Sequence, residues 1–173
     1  MTLVALLRGI NVAGHNTVPM ASLRQALTDA GFQNVRTYIQ SGNIVVAGSD
    51  KAAFGTSLAD ILATQFGITA PAVCLTADDL QDAHNGCPFA DQDPKRVILH
   101  WPLGPVAGID LAEFAPFCTA GEQVHWDGNC LSVFAPNGIG TSKLAGALPR
   151  KFPVAVTARN LSTLRKLMDM ARA

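Results

Sequence analysis

The chain has 173 residues, of which 49% are hydrophobic and 15% charged. A buried core is therefore expected and global disorder is not. The 13 Lys and Arg residues balance the 13 Asp and Glu, which argues against a protein that coats nucleic acid by bulk charge alone. No run of about 18 apolar residues is present, so no membrane-spanning helix is expected.

Leu3–Leu7 reads as a first strand. This apolar run is too short for a signal peptide, has no basic residue before it and no cleavage site after it. A cytoplasmic location is the expectation. Met20–Ala30 follows as a helix, with Pro19 at its start and Gly31 at its end, the placement helices favour. Its Leu23, Ala26, Leu27 and Ala30 recur at helical spacing. Strands are expected over Val35–Gln40, Asn43–Ala47 and Ala72–Thr76. Between the last two lies a helix over Lys51–Phe66, begun by Ser49 or Asp50 and stopped by Gly67. A third helix, Asp78–His84, follows Thr76 and Asp79, which are spaced as a capping box.

The second half repeats the order. Arg96–Trp101 reads as a strand and Leu111–Phe117 as a short helix. Gln123–Trp126 and Asn129–Phe134 flank Asp127-Gly128, a strong hairpin signal. Ser142–Leu148 reads as a helix, Val154–Val156 as a strand and Leu161–Ala171 as the last helix. The expected fold class is α+β, with two βαββαβ-type subdomains, each followed by a helix. The boundary falls in the turn-rich stretch Gly86–Asp93. Two local echoes, Ser41-Gly42-Asn43 with Asp127-Gly128-Asn129 and Thr76–Leu80 with Thr157–Leu161, are compatible with an internal duplication.

Cys74, Cys87, Cys118 and Cys130 form no C-x-x-C pair, so neither a zinc site nor a cofactor is expected. A reducing compartment would keep them as thiols. Charge is uneven along the chain. Residues 143–173 carry Lys143, Arg150, Lys151, Arg159, Arg165, Lys166 and Arg172 against Asp169 alone. A basic end of this kind is either a solvated helix face or a local anion-binding surface.

Four polar clusters are candidates for a site. The first is the loop Arg8–Asn16, where Arg8 offers a planar fork for phosphate or carboxylate and Asn11, His15 and Asn16 add donors and acceptors. The second is Gln40-Ser41-Gly42-Asn43, which reads equally as a tight turn. The third, Asn137–Lys143, is a Gly-rich turn before a helix, with Ser142 and Lys143 at its start. Such a helix start suits an anion, although the spacing is not that of a Walker A loop. The fourth is Thr157-Ala158-Arg159-Asn160, expected to join the last strand to the last helix, where Asn160 could simply cap that helix.

The segments Ala5–Val12, Val18–Met20, Leu23-Arg24, Gly31-Phe32, Val35–Asn43, Gly140–Leu144 and Thr157–Asn160 together resemble the domain-of-unknown-function family 1697. The resemblance implies an α+β fold of two subdomains. Residues 1–86 would be a ferredoxin-like subdomain and residues 87–173 a second α+β subdomain with a basic C-terminal helix. It brings no established catalytic residue. The chain departs from the family pattern at Gly14-His15, where the family runs to Gly-Lys or Gly-Arg, and at Leu161, where Trp is common.

Three functions follow. The first is binding of an anionic, phosphate-bearing partner, either a nucleotide, a sugar phosphate or a short single-stranded nucleic acid. The ligand would sit in a cleft between subdomains and be held by Arg8, Asn11, Asn16, Gln40, Asn43, Ser142, Lys143, Arg159 and Asn160. The second is an enzyme on a small anionic metabolite, with His15 as the best available base. The third is a structural or interaction module whose polar loops only fix the fold. Tyr38 is the only tyrosine, a thin platform for stacked bases.

Overall fold

The computed structural model describes the whole chain, Met1–Ala173. Its contacts divide it into two compact units, Met1–Leu80 with Lys166–Ala173, and Gln81–Arg165.

In the first unit the elements are β1 (Thr2–Leu7), α1 (Met20–Asp29), β2 (Gln33–Tyr38), β3 (Asn43–Ala47), α2 (Lys51–Phe66), β4 (Ala72–Thr76) and the start of α3 (Ala77–Asn85). The four strands form one antiparallel sheet in the order β2-β3-β1-β4, with Val4 opposite both Val45 and Leu75. Strand β1 is therefore central. It is buried on both faces, which explains its unbroken apolar run where a half-exposed strand would alternate. Leu3, Ala5, Leu7, Ile44 and Val46 form a core with Leu23 and Leu27 of α1 and Phe54, Leu58 and Leu62 of α2. Each Leu, Ile, Val or Phe among them contributes about 1.5 to 3 kcal/mol on burial. Asp50 starts α2 by accepting from the Ala52 and Ala53 N–H groups, and Gly67 in the left-handed region ends it. The capping box at α3 is reciprocal: Thr76 Oγ1 accepts from the Asp79 N–H at 3.1 Å, and Asp79 Oδ2 accepts from the Thr76 N–H at 2.7 Å.

The second unit holds β5 (Val97–Pro102), β6 (Gln123–Trp126), β7 (Leu131–Phe134), α4 (Lys143–Lys151), β8 (Val156–Asn160) and the start of α5 (Leu161–Arg172). Its sheet is also antiparallel, in the order β6-β7-β5-β8. Counted from β1 and from β5, the two sheets have one strand order. Phe114, Leu131, Val133, Leu144, Leu148 and Phe152 form its helix-side core. No helix is long and apolar enough to cross a membrane.

Three expected elements are corrected. Strand β2 stops at Tyr38 because Ile39 turns the chain with φ of 50°. Leu111–Phe117 is two 3-10 turns, Leu111–Glu113 and Ala115–Phe117, since Pro116 has no N–H to continue an α-helix. The last strand is Val156–Asn160, in register from Pro102 opposite Val156 to Ile98 opposite Asn160. The Thr157–Asn160 cluster is thus the strand itself and not a connection. Pairing with the apolar β5 outweighs its polar composition, and the sequence echo with Thr76–Leu80 is displaced accordingly.

Candidate functional site

The loop after β1 is built by its own asparagines. Asn11 Oδ1 accepts from the Val18 N–H at 2.8 Å, and Asn11 Nδ2 donates to the Val18 carbonyl at 3.0 Å and to the Gln40 carbonyl at 2.8 Å. Asn16 Nδ2 donates to the Gly9 carbonyl at 2.9 Å. The Asn11 N–H reaches the Asn16 carbonyl, and the His15 N–H reaches that of Val12. Asn11, Ala13, Asn16 and Ile39 all have positive φ. Asparagine tolerates that region, but a β-branched isoleucine rarely does. Strained backbone is concentrated where the first two clusters meet.

The structure therefore brings Arg8, Asn11, Asn16 and Gln40 into one clamped loop and turn. Arg8 is exposed, and its N–H is fixed to the Pro71 carbonyl at 2.9 Å. Asn43 is fully buried, with Nδ2 donating to the Tyr38 carbonyl and to Ser41 Oγ, both at 3.0 Å. It shapes the turn from inside.

In the second unit Ser142 caps α4 by accepting from the Ala145 N–H at 3.3 Å and donates to Glu122 Oε1 at 2.9 Å. Lys143 is exposed beside it. Glu122, which sequence reasoning missed, is buried. The Ala120 N–H and its own N–H hold its carboxyl below the usual range, against burial and with help from Ser142. No local pattern around Glu122 marks it, because Ser142 is distant in sequence. Asn160 Oδ1 accepts from the Thr163 N–H at 2.8 Å, so Asn160 caps α5. Arg159 is buried on β8, where Nη1 donates to Thr157 Oγ1 at 3.1 Å and to the Ala158 carbonyl at 2.7 Å. Burial draws its guanidinium down to about 10, which leaves it charged at neutral pH.

Two four-stranded antiparallel sheets with their helices, and polar loops at strand ends, define a mixed α+β protein. The family model described as a protein of unknown function (DUF1697) matches residues 1–131, and the chain belongs to that family. Among solved structures it is similar to the conserved bacterial protein SP0830 from Streptococcus pneumoniae. The two are 26% identical, with a TM-score of 0.73 over 98% of each chain. No curated protein matches the chain.

Proposed function

We propose that this protein binds an anionic, phosphate-bearing ligand at the loop that follows β1, on a ferredoxin-like first unit. The antiparallel order β2-β3-β1-β4 supports the scaffold part of this reading. The observation that carries the ligand part is Arg8. Its side chain is exposed and makes no hydrogen bond or ion pair. It projects from the fixed end of a central strand beside a loop that is already clamped. The guanidinium fork is planar and matches a phosphate, so less freedom is lost per hydrogen bond formed than with a flexible ammonium. Lys143, exposed at the start of α4, is retained as a separate anion contact. A cytoplasmic location belongs to the same reading, supported by four free cysteines, two of them buried.

The test is a thermal-shift panel of nucleotides, sugar phosphates and short oligonucleotides on wild type and Arg8→Ala. The proposal expects stabilisation by at least one phosphorylated class, lost in a variant whose unliganded melting temperature is unchanged. Equal stabilisation of the variant, or no stabilisation by any class, overturns it.

A protein-interaction module is the second reading. It is favoured by Val12 and Ile39, exposed by 59% and 50% on the clamped loop and turn. Under it, no phosphorylated compound shifts the melting temperature.

A further inference from the structure

The same place in the two sheets is filled differently. In the first unit, Asn11 bridges the loop after β1 to the turn between β2 and β3. In the second, the loop after β5 and the turn between β6 and β7 flank an open surface cavity of about 360 Å³, lined by Pro102, Gly104, Pro105, Val106, Trp126, Gly128 and Asn129. That volume is in the range of small-molecule sites. Both sides carry local restraints. Prolines restrict the loop side. On the turn side Asp127 Oδ1 accepts from the Asn129 and Cys130 N–H groups, both at 2.7 Å.

We propose that this cavity binds an uncharged purine base, stacked on Trp126 and read along its edge by Asn129. Three observations lead there. No ionisable side chain lines the cavity, so it offers a charged group no counter-charge to recognise it. Trp126 lines the cavity and is held by Phe152, ring centroids 6.0 Å apart at 67°; aromatic side chains are the groups on which bases stack. The exposed Asn129 carboxamide makes no hydrogen bond within the protein. It offers a donor beside an acceptor, the complement of the adenine N6 and N7 edge. A hexose would call for several convergent polar side chains, and here there is one.

The inference is independent of the Arg8 reading, and adenosine, which has no phosphate, separates the two. The full-length chain is titrated with adenosine while the two tryptophan indole N–H signals are followed by NMR. Trp101 is buried, 3% exposed, and serves as the internal reference. A saturable shift of the Trp126 signal is expected, with Trp101 unmoved. Asn129→Ala should weaken binding about tenfold, and Arg8→Ala should leave it unchanged. Asn129→Ala removes an exposed side chain with no internal bond, so its fold is retained and an unchanged melting temperature verifies this. The absence of a saturable Trp126 shift overturns the site. Equal affinity in Asn129→Ala, or a shift with glucose and none with adenosine, overturns the purine assignment.

Discussion

Asn11 Nδ2 lies 2.8 Å from the Gln40 carbonyl oxygen, 29 positions along the chain, and ties the loop after β1 to the turn that joins β2 to β3. The same carboxamide makes a two-way pair with the Val18 backbone. One side chain thus spends its full reach on three backbone groups, and it does so from a left-handed backbone with φ of 53°. The loop beside Arg8 is ordered by this residue.

Replacing Asn11 with Ala removes three hydrogen bonds and leaves a residue with a Cβ in the left-handed region. We expect a loss of about 2 to 3 kcal/mol. Asn11→Gly should lose less, since glycine takes positive φ freely. Urea denaturation of the two variants checks this. Equal stability of Asn11→Ala and wild type would show that the clamp contributes nothing.

Gly42 closes the same turn. A Cβ there would stand 2.7 Å from Leu7 Cβ and 2.8 Å from Ile10 Cδ1, with φ at 82°, and both neighbours are buried. Gly42→Ala is expected to cost about 3 kcal/mol from overlap and backbone strain together. Gly14 also has positive φ but nothing within 4 Å, so Gly14→Ala should cost only about 1 kcal/mol. Comparing their melting temperatures separates crowding from strain.

His100 gives the second unit a pH dependence. Burial lowers it from 6.5 to about 4, opposed by contacts with the Leu131 and Ile98 backbone. Its Nδ1 is 3.3 Å from the Leu131 carbonyl oxygen. Below pH 6.5 the unfolded chain takes up a proton that the folded chain refuses until about 4. This stability is therefore present above 6.5 and is lost as pH falls through that window. His100→Gln should remove that part of the slope. Denaturation midpoints of wild type and variant, followed from neutral pH down to about 4, should converge or cross in favour of the variant. Parallel curves would place His100 in a solvated setting.

Ser142 links α4 to Glu122. Ser142→Ala loses a helix cap and a hydrogen bond to a buried carboxylate, and should cost about 1 to 2 kcal/mol. Glu122 is held below its ordinary value by the Ala120 N–H first. The stability it contributes is thus present above its unfolded-state value and is lost as pH falls through the lowered one. The cost of Ser142→Ala should shrink in strong acid. A cost that is independent of pH would show that the serine acts on the helix alone.

Local chemistry decided much of this protein. Lys51–Phe66 is bounded as its sequence predicts, because Asp50 and Gly67 act on neighbouring backbone only. The same holds for Asn43–Ala47, which ends at Gly48, and for Ala72–Thr76, which ends at the Thr76 cap of α3. The family was legible because its motifs are contiguous. Long-range partners were not. Nothing near Asn11 in sequence reveals the Gln40 carbonyl, and nothing near Ser142 reveals Glu122. Thr157–Asn160 looked like a connection because its polarity was read without its neighbour. Register with β5 made it a strand and buried Arg159. Backbone pairing and burial depend on what lies across the sheet, and only the folded chain supplies that. Composition and periodicity could place the elements; the packed structure decided which polar groups serve the fold and which, like Arg8 and the carboxamide of Asn129, are left facing solvent.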